Sequence, residues 1–406
     1  MECSTVLQEL NCDERQALLM IVKRRAVSKN EVARRLAFTY QKANRILEGL
    51  LQKELVTVSG EGESEGGRRP LLFSVDPELP LYVLGVNISQ LHLDVSVLTV
   101  TGRLVAEESQ PISRSISPEE GWEIITGSMK GVLQKAGIPQ AALVAGGVCF
   151  GCAIDPTRGV ILDSISNQFE DPRWVNYPFV EALEKAYGVP FYAETGANAA
   201  CVGEYIFGLA QQKRRVCVVF AGYTSCRNGT MTDGRLIRAA SHLDTTLGHM
   251  VVKSGGEKCA CGNYGCVDAY ATGAAVLRHF QESLQSGLPS TVEPRPALRL
   301  EEVLEAAEAG DALAAHTVTE AAVLLGTGVA NLANVLDPEM ILFGGVMVER
   351  SSLYRRMLFQ TVRQKIGCVR DPNGVQLTMR SEMGRCSNGV AALALRNTLQ
   401  KGGKEV

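Results

Sequence analysis

Net charge is almost absent from this chain, and so are long apolar runs. Over 406 residues, 41 lysines and arginines face 44 acidic residues, for a formal charge of −3. That balance excludes a wholesale polybasic binder, so any contact with nucleic acid must rest on local clustering. Apolar runs such as residues 216–221 fall far short of a membrane span. The start, Met1-Glu2-Cys3, lacks the basic and then apolar regions of a secretory leader. A cytoplasmic protein with no membrane partner is expected. Disorder-promoting composition is missing too, since 46% hydrophobic and 21% charged residues are ordinary for a globular chain. Cysteine is what the chain has in quantity. Twelve of them, without a leader, read as reduced thiols with a few recruited to a metal.

The length allows more than one domain. Residues 1–58 read as helices, residues 59–69 as a Gly/Glu/Ser/Arg loop, and from Leu81 onward apolar runs alternate with amphipathic helices. That last texture is the pattern of an α/β domain. A strand followed by a hairpin occurs twice, with turns at Thr101-Gly102-Arg103-Leu104 and Asp233-Gly234-Arg235-Leu236. The repetition suggests a duplicated lobe.

In the N-terminal part, Asn11 with Glu14 and Ser28 with Glu31 have capping-box spacing, each ahead of apolar residues at helical period. Ala37-Phe38-Thr39 makes a tight turn into a third helix whose Ala43, Ile46, Leu47, Leu50 and Leu51 face inward. Two short helices so joined have helix-turn-helix geometry. The outward face of the third carries Tyr40, Gln41, Lys42, Asn44 and Arg45, side chains able to read base edges or grip phosphates. Between Arg15 and Lys53 there are ten basic residues against two acids, Glu31 and Glu48. Residues 55–58 and 71–75 bracket the glycine-rich loop like the strands of a wing, with Arg68 and Arg69 placed to enter a minor groove. DNA binding is the expectation; a solvated helical face or a protein-interaction winged helix is the alternative.

The most specific pattern is His249, Cys259, Cys261 and Cys266. Three thiolates and an imidazole complete a tetrahedral zinc set and leave no open position, so one structural zinc per chain is expected. Gly262 and Gly265 let the chain fold tightly around such an ion. Buried free cysteines in a turn are the alternative.

At these residues the sequence resembles the ROK family of bacterial sugar kinases and repressors. The resemblance extends to Gly67-Arg68-Arg69-Pro70 at the wing and to Asn334-Val335-Leu336-Asp337-Pro338-Glu339 leading to Gly344-Gly345. It implies a two-lobed actin-like, ribonuclease H-like ATPase fold, and the winged helix implies the repressor branch. Against the family's Asp-x-Gly-Gly-Thr phosphate loop this chain has Asn87-Ile88-Ser89-Gln90-Leu91, and the second phosphate loop, near residues 222–229, is degenerate. Where the family's kinases carry the catalytic aspartate, this chain reads Glu194-Thr195-Gly196-Ala197-Asn198, with Gly196 at the base position. Glycine accepts no proton, so no enzymatic activity is expected. Of the sugar-holding positions the family implies, His249 persists, Asp268 replaces a glutamate, and Thr195 and Thr246 stand where an asparagine and a glutamate would. Asn167 is a further candidate ligand contact.

The expected architecture is a winged helix-turn-helix over residues 1–80 and a ROK domain over 81–406. Lobe one covers about 81–210 plus a C-terminal helix from Asn388, and lobe two about 211–387 with a helical stretch around 300–330. The expected partners are a double-stranded DNA operator, a sugar or sugar-derived effector, and a second copy in a homodimer or homotetramer. A constitutive regulator or scaffold with a dead pocket, and a sugar kinase with an unusual base, are the competing readings.

Overall fold

The computed structural model describes residues 6–7, 9–63, 69–89, 92–162, 169–242, 247–369, 371 and 373–400. Two compact units emerge, one formed by Met1–Gln212 with Ser381–Val406 and the other by Lys213–Arg380.

The first unit opens with α1 (Cys12–Arg24), β1 (Val27–Ser28), α2 (Lys29–Arg35), α3 (Tyr40–Gln52), β2 (Val56–Glu61) and β3 (Leu71–Val75). The expected box closes on α1: Asn11 Oδ1 accepts from the Glu14 N–H at 3.0 Å, and the Glu14 carboxylate accepts from the Asn11 N–H at 3.0 Å. The second box is only half made. Ser28 Oγ accepts from the Glu31 N–H at 3.2 Å, but Glu31 turns forward to Arg35 at 2.9 Å. An oppositely charged partner one turn ahead draws it from the cap. Ala37 ends the turn at φ 53°, left-handed backbone where glycine is usual. Thr39 then caps α3 by accepting from the Lys42 N–H at 3.2 Å. Strands β1-β3-β2 form one small sheet, and Ala17, Ile21, Val32, Leu47, Leu50 and Phe73 are buried beneath these elements. Three helices followed by a strand hairpin are the elements of a winged helix-turn-helix.

The same unit continues through β4 (Tyr82–Ile88), β5 (His92–Thr99), β6 (Leu104–Pro111), α4 (Pro118–Lys135), β7 (Leu143–Phe150), the small hairpin β8 (Ile154–Asp155) and β9 (Val160–Ile161), α5 (Phe179–Tyr187), β10 (Phe191–Thr195) and α6 (Gly196–Ile206). Its sheet runs β10-β7-β4-β5-β6, with β4, β5 and β6 antiparallel and β4, β7 and β10 parallel. In the second unit come β11 (Arg215–Ala221), β12 (Cys226–Thr232), β13 (Arg235–Leu236), α7 (Asp268–Ala271), α8 (Gly273–Gln285), α9 (Leu300–Glu308), α10 (Ala312–Leu336), β14 (Met340–Gly344), α11 (Val346–Arg350), α12 (Ser352–Gly367) and β15 (Gln376–Met379). This sheet runs β13-β12-β11-β14-β15, again a meander of three followed by two parallel additions. The two sheets share one topology, which is the duplication hinted at by the repeated hairpin.

The last helix, α13 (Cys386–Gln400), lies in the first unit. Glycines let it lie directly on the sheet. A Cβ at Gly85 would stand 1.9 Å from the Ser387 carbonyl oxygen, and one at Gly147 would stand 2.4 Å from that of Val390. On its other side α13 meets α6, where a Cβ at Gly389 would lie 2.3 Å from the Ala199 carbonyl oxygen. The division between units falls at Arg380, ahead of the expected end of lobe two at residue 387. The buried Glu204 of α6 accepts from the Ser381 N–H, tying that segment to the first unit. The N-terminal elements join this unit as well: α1 packs on α13, and Lys23 Nζ lies 3.2 Å over the Tyr205 ring of α6. By length and composition α10 is apolar enough to cross a membrane. In this fold Val318, Ala322, Leu325 and Val329 of α10 are instead buried in the core of the second unit.

Candidate functional site

The four expected metal ligands converge. The ligand atoms of His249, Cys259, Cys261 and Cys266 all lie within 4.8 Å of one another. Cys259 Sγ is 3.8 Å from His249 Nδ1, and Cys261 Sγ is 3.8 Å from Cys266 Sγ. A tetrahedron with metal–sulfur bonds of about 2.3 Å has edges of about 3.8 Å, the spacing of these two pairs, so the donor set suits zinc. Gly262 and Gly265 adopt φ 88° and 77°, the left-handed turns that fold the loop back on itself. Burial, with neighbouring thiols adding to it, pushes the Cys266 thiol up to about 12, whereas at Cys261 burial is outweighed by the Asn263 N–H and the neighbouring thiols, which lower it; a cation is what would let all three sulfurs ionise together. Beneath the loop, Glu257 accepts from Arg278 at 2.7 Å and pairs with His279 at 2.9 Å, anchoring the loop to α8.

Asp268 follows the last cysteine by two residues and turns inward. Its Oδ1 accepts from the Cys226 N–H at 2.7 Å, and burial raises its carboxyl above the usual range, against the opposing pull of that N–H, His249 and Arg227. The carboxylate thus joins the start of β12 to the end of the Cys/His loop.

In the first unit the strand register assembles a row that sequence reading did not find. Asp94 of β5 stands opposite Asn87 of β4, Asn87 opposite Cys149 of β7, and Cys149 opposite Glu194 of β10. All four share the sheet face that α13 covers. Asn87 Nδ2 donates to Asp94 Oδ2 at 2.8 Å, and Cys149 Sγ donates to Asn87 Oδ1 at 3.3 Å. The residue in place of the phosphate-loop aspartate is therefore hydrogen-bonded within the sheet. Gly196 begins α6 beside it. A Cβ there would lie 3.1 Å from Cys386 Sγ and 3.9 Å from Asn87 Oδ1, so a side chain at 196 would enter this row. Thr195 is buried, and both its N–H and its hydroxyl donate to Glu194 Oε1, at 2.8 and 3.4 Å. Its hydroxyl is thereby committed to its own neighbour. Thr246 and Asn167 lie outside the described residues. The signal available for the row was the two-residue period of each strand, which puts Asn87 on the face of Gly85 and Cys149 on that of Gly147; for Cys386 there was none.

On α3, Tyr40 is 56% exposed, and Gln41 and Arg45 are exposed as well. Lys42 pairs with Asp13 at 2.8 Å and lies over the Phe38 ring, while Asn44 accepts from Lys29 and donates to Glu48 at 2.7 Å. The expected reading face thus divides into three outward side chains and two already engaged inside the domain. Arg69 is exposed two residues ahead of β3, and Arg68 lies outside the described residues.

The ROK family model matches residues 83–396. A xylose repressor from Caldicellulosiruptor bescii is 22% identical over 365 residues, covering 89% of this chain and 88% of that protein. Among solved structures, a ROK family transcriptional regulator described as a homologue of Escherichia coli Mlc superposes with a TM-score of 0.78 at 19% identity, covering 96% of this chain and 98% of that one. A ROK family glucokinase from Streptomyces griseus, in complex with glucose and AMPPNP, reaches 0.65 at 23% identity, covering 77% of this chain and 99% of its own. The uncovered share of this chain is comparable in size to the N-terminal helices and wing. With the family model spanning both sheets and the four candidate metal ligands, this chain belongs to the ROK family.

Proposed function

We propose that this protein is a DNA-binding transcription repressor of carbohydrate-related genes, with a ROK domain that senses a sugar-class effector and transfers no phosphate. The observation that carries the reading is the outward face of α3, with Tyr40, Gln41 and Arg45 free to meet a major groove, on a chain whose relatives of matching length are repressors. Gly196 supports the second half of the reading, because no carboxylate occupies the position from which a sugar hydroxyl would be deprotonated. Operator binding would place the protein in the cytoplasm as a homodimer or homotetramer, with paired winged helices on paired half-sites.

His249, Cys259, Cys261 and Cys266 would hold one zinc per chain, which would staple the loop and take no part in chemistry. Elemental analysis should give one equivalent of zinc, falling well below one in Cys261→Ser. Zinc-free native protein would remove that part of the reading. For the whole reading, the test is a footprint on the protein's own upstream region at moderate salt, repeated with a panel of pentoses and hexoses. Protection relieved by one sugar is expected. Absence of protection at any low-salt condition would make the winged helix an interaction module.

A further inference from the structure

Cys149 and Cys386 meet beside the position left bare by Gly196. Cys149 is fully buried in the centre of the sheet row, and its Sγ donates to the Cys386 carbonyl oxygen at 3.5 Å as well as to Asn87 Oδ1. Cys386 is the first residue of α13, is partly exposed, and packs against Cys149, Ala199 and Val390. Its sulfur borders the space that a side chain at 196 would fill. The metal-ligand cluster found among the described residues belongs to the other unit, so these two thiols are not part of it. Two free thiols, 237 residues apart in the chain, are thus held side by side with one reachable from solvent.

We propose that Cys149 and Cys386 form a reversible oxidation site, joined as a disulfide by hydrogen peroxide. In the first step the Cys386 thiolate attacks one peroxide oxygen. A sulfur–oxygen bond forms, the oxygen–oxygen bond breaks, and the released hydroxide takes a proton to leave as water. The sulfur of Cys149 then attacks that of Cys386. The sulfur–sulfur bond forms, the sulfur–oxygen bond breaks, and the departing hydroxide takes the Cys149 proton to become the second water. The two thiols lose two electrons and two protons, and the peroxide gains them. Burial holds the Cys149 thiol well above its ordinary range, so it is unreactive toward solutes and serves only as the partner of a sulfur already beside it. The bond would fasten the first turn of α13 to β7.

The test treats full-length, zinc-loaded protein with hydrogen peroxide, blocks remaining thiols, and maps peptides by mass spectrometry. A linked pair of peptides carrying residues 149 and 386, two hydrogens lighter than the free pair and separated again by dithiothreitol, is expected. Cys386→Ser should remove that linkage. In Cys149→Ala, Cys386 should instead accumulate as a sulfenic acid trapped by dimedone, with far-UV circular dichroism confirming that each variant folds. The proposal is overturned if exposed Cys368 oxidises while both thiols stay free. Over-oxidation of Cys386 to a sulfinic acid with Cys149 untouched overturns it too, as do linkages confined to Cys259, Cys261 and Cys266.

Discussion

A Cβ on Gly248 would stand 2.2 Å from Oδ1 of Asp268, the same oxygen that accepts from the Cys226 N–H. The residue before the metal-directed histidine is therefore glycine because a buried carboxylate occupies the space beside it. Gly248→Ala should force Asp268 or His249 aside and cost about 1–3 kcal/mol, as overpacking does. A urea titration followed by far-UV circular dichroism measures it, and zinc content should fall in parallel. Adding Asp268→Ala should return part of the loss, because the two positions are coupled through one contact. Additive losses would show that the two residues do not constrain each other.

The division on α3 separates two kinds of variant. Arg45→Ala should weaken operator binding by about 1–3 kcal/mol and relax specificity at one base position. Lys42→Ala breaks the Asp13 pair and the Phe38 contact, so its effect should fall on the domain's stability, by under about 1 kcal/mol. Gel-shift titrations against a set of operator variants, beside melting curves, separate the two. Equal operator losses with no change in melting would show that Lys42 leaves Asp13 to reach DNA.

Restoring the missing carboxylate should not restore phosphotransfer. In Gly196→Asp the new side chain meets Cys386 Sγ, with its Cβ 3.1 Å away, and faces Asn87, where the kinases have a carboxylate. Coupled ADP assays with glucose, N-acetylglucosamine and xylose should stay at background. Turnover above that level would mean that one substitution separates this chain from an enzyme.

Acid should erase the contribution of Asp311. This residue caps α10 by accepting from the Ala314 N–H at 2.8 Å, and it also accepts from the hydroxyls of Ser290 and Thr291, each at 2.9 Å. Burial opposes its ionisation, but these donors win and bring its carboxyl from 3.8 to about 2. A carboxyl lowered on folding stabilises fully above its unfolded value and loses that stabilisation as pH falls through its folded one. Asp311→Ala should cost about 1–2 kcal/mol at neutral pH. The gap between wild type and variant in urea midpoints should narrow from about pH 4 downward, be mostly lost by pH 2 and close only below it. A gap unchanged at pH 2 would assign the effect to packing.

Local features of this chain were readable in advance where local chemistry decides them. Asn11 and Glu14 make their box because both partners lie within one turn, and His249, Cys259, Cys261 and Cys266 meet because a short glycine-bearing loop brings them together. Glu31 escaped prediction because Arg35, one turn on, competes for the same carboxylate. The row Asp94, Asn87, Cys149 and Glu194 was hidden for a different reason. Its members sit on four strands, and only the register of three strand pairs makes them neighbours. Thr195 and Asp268 were singled out by position as ligand contacts, while their inward hydrogen bonds depend on partners that spacing does not reveal.

The place of α13 has a consequence for how the protein is made. Translation delivers it last among the described elements, yet it covers the sheet that contains β4 and β7. At roughly 5–20 residues per second, that sheet waits on the order of 10–50 s on the ribosome before its cover arrives. The N-terminal helices emerge first and must hold together meanwhile without the surface on which α1 comes to rest. A message cut short ahead of Cys386 would therefore yield a nascent chain with an uncovered apolar face, a target for proteases rather than a weaker regulator.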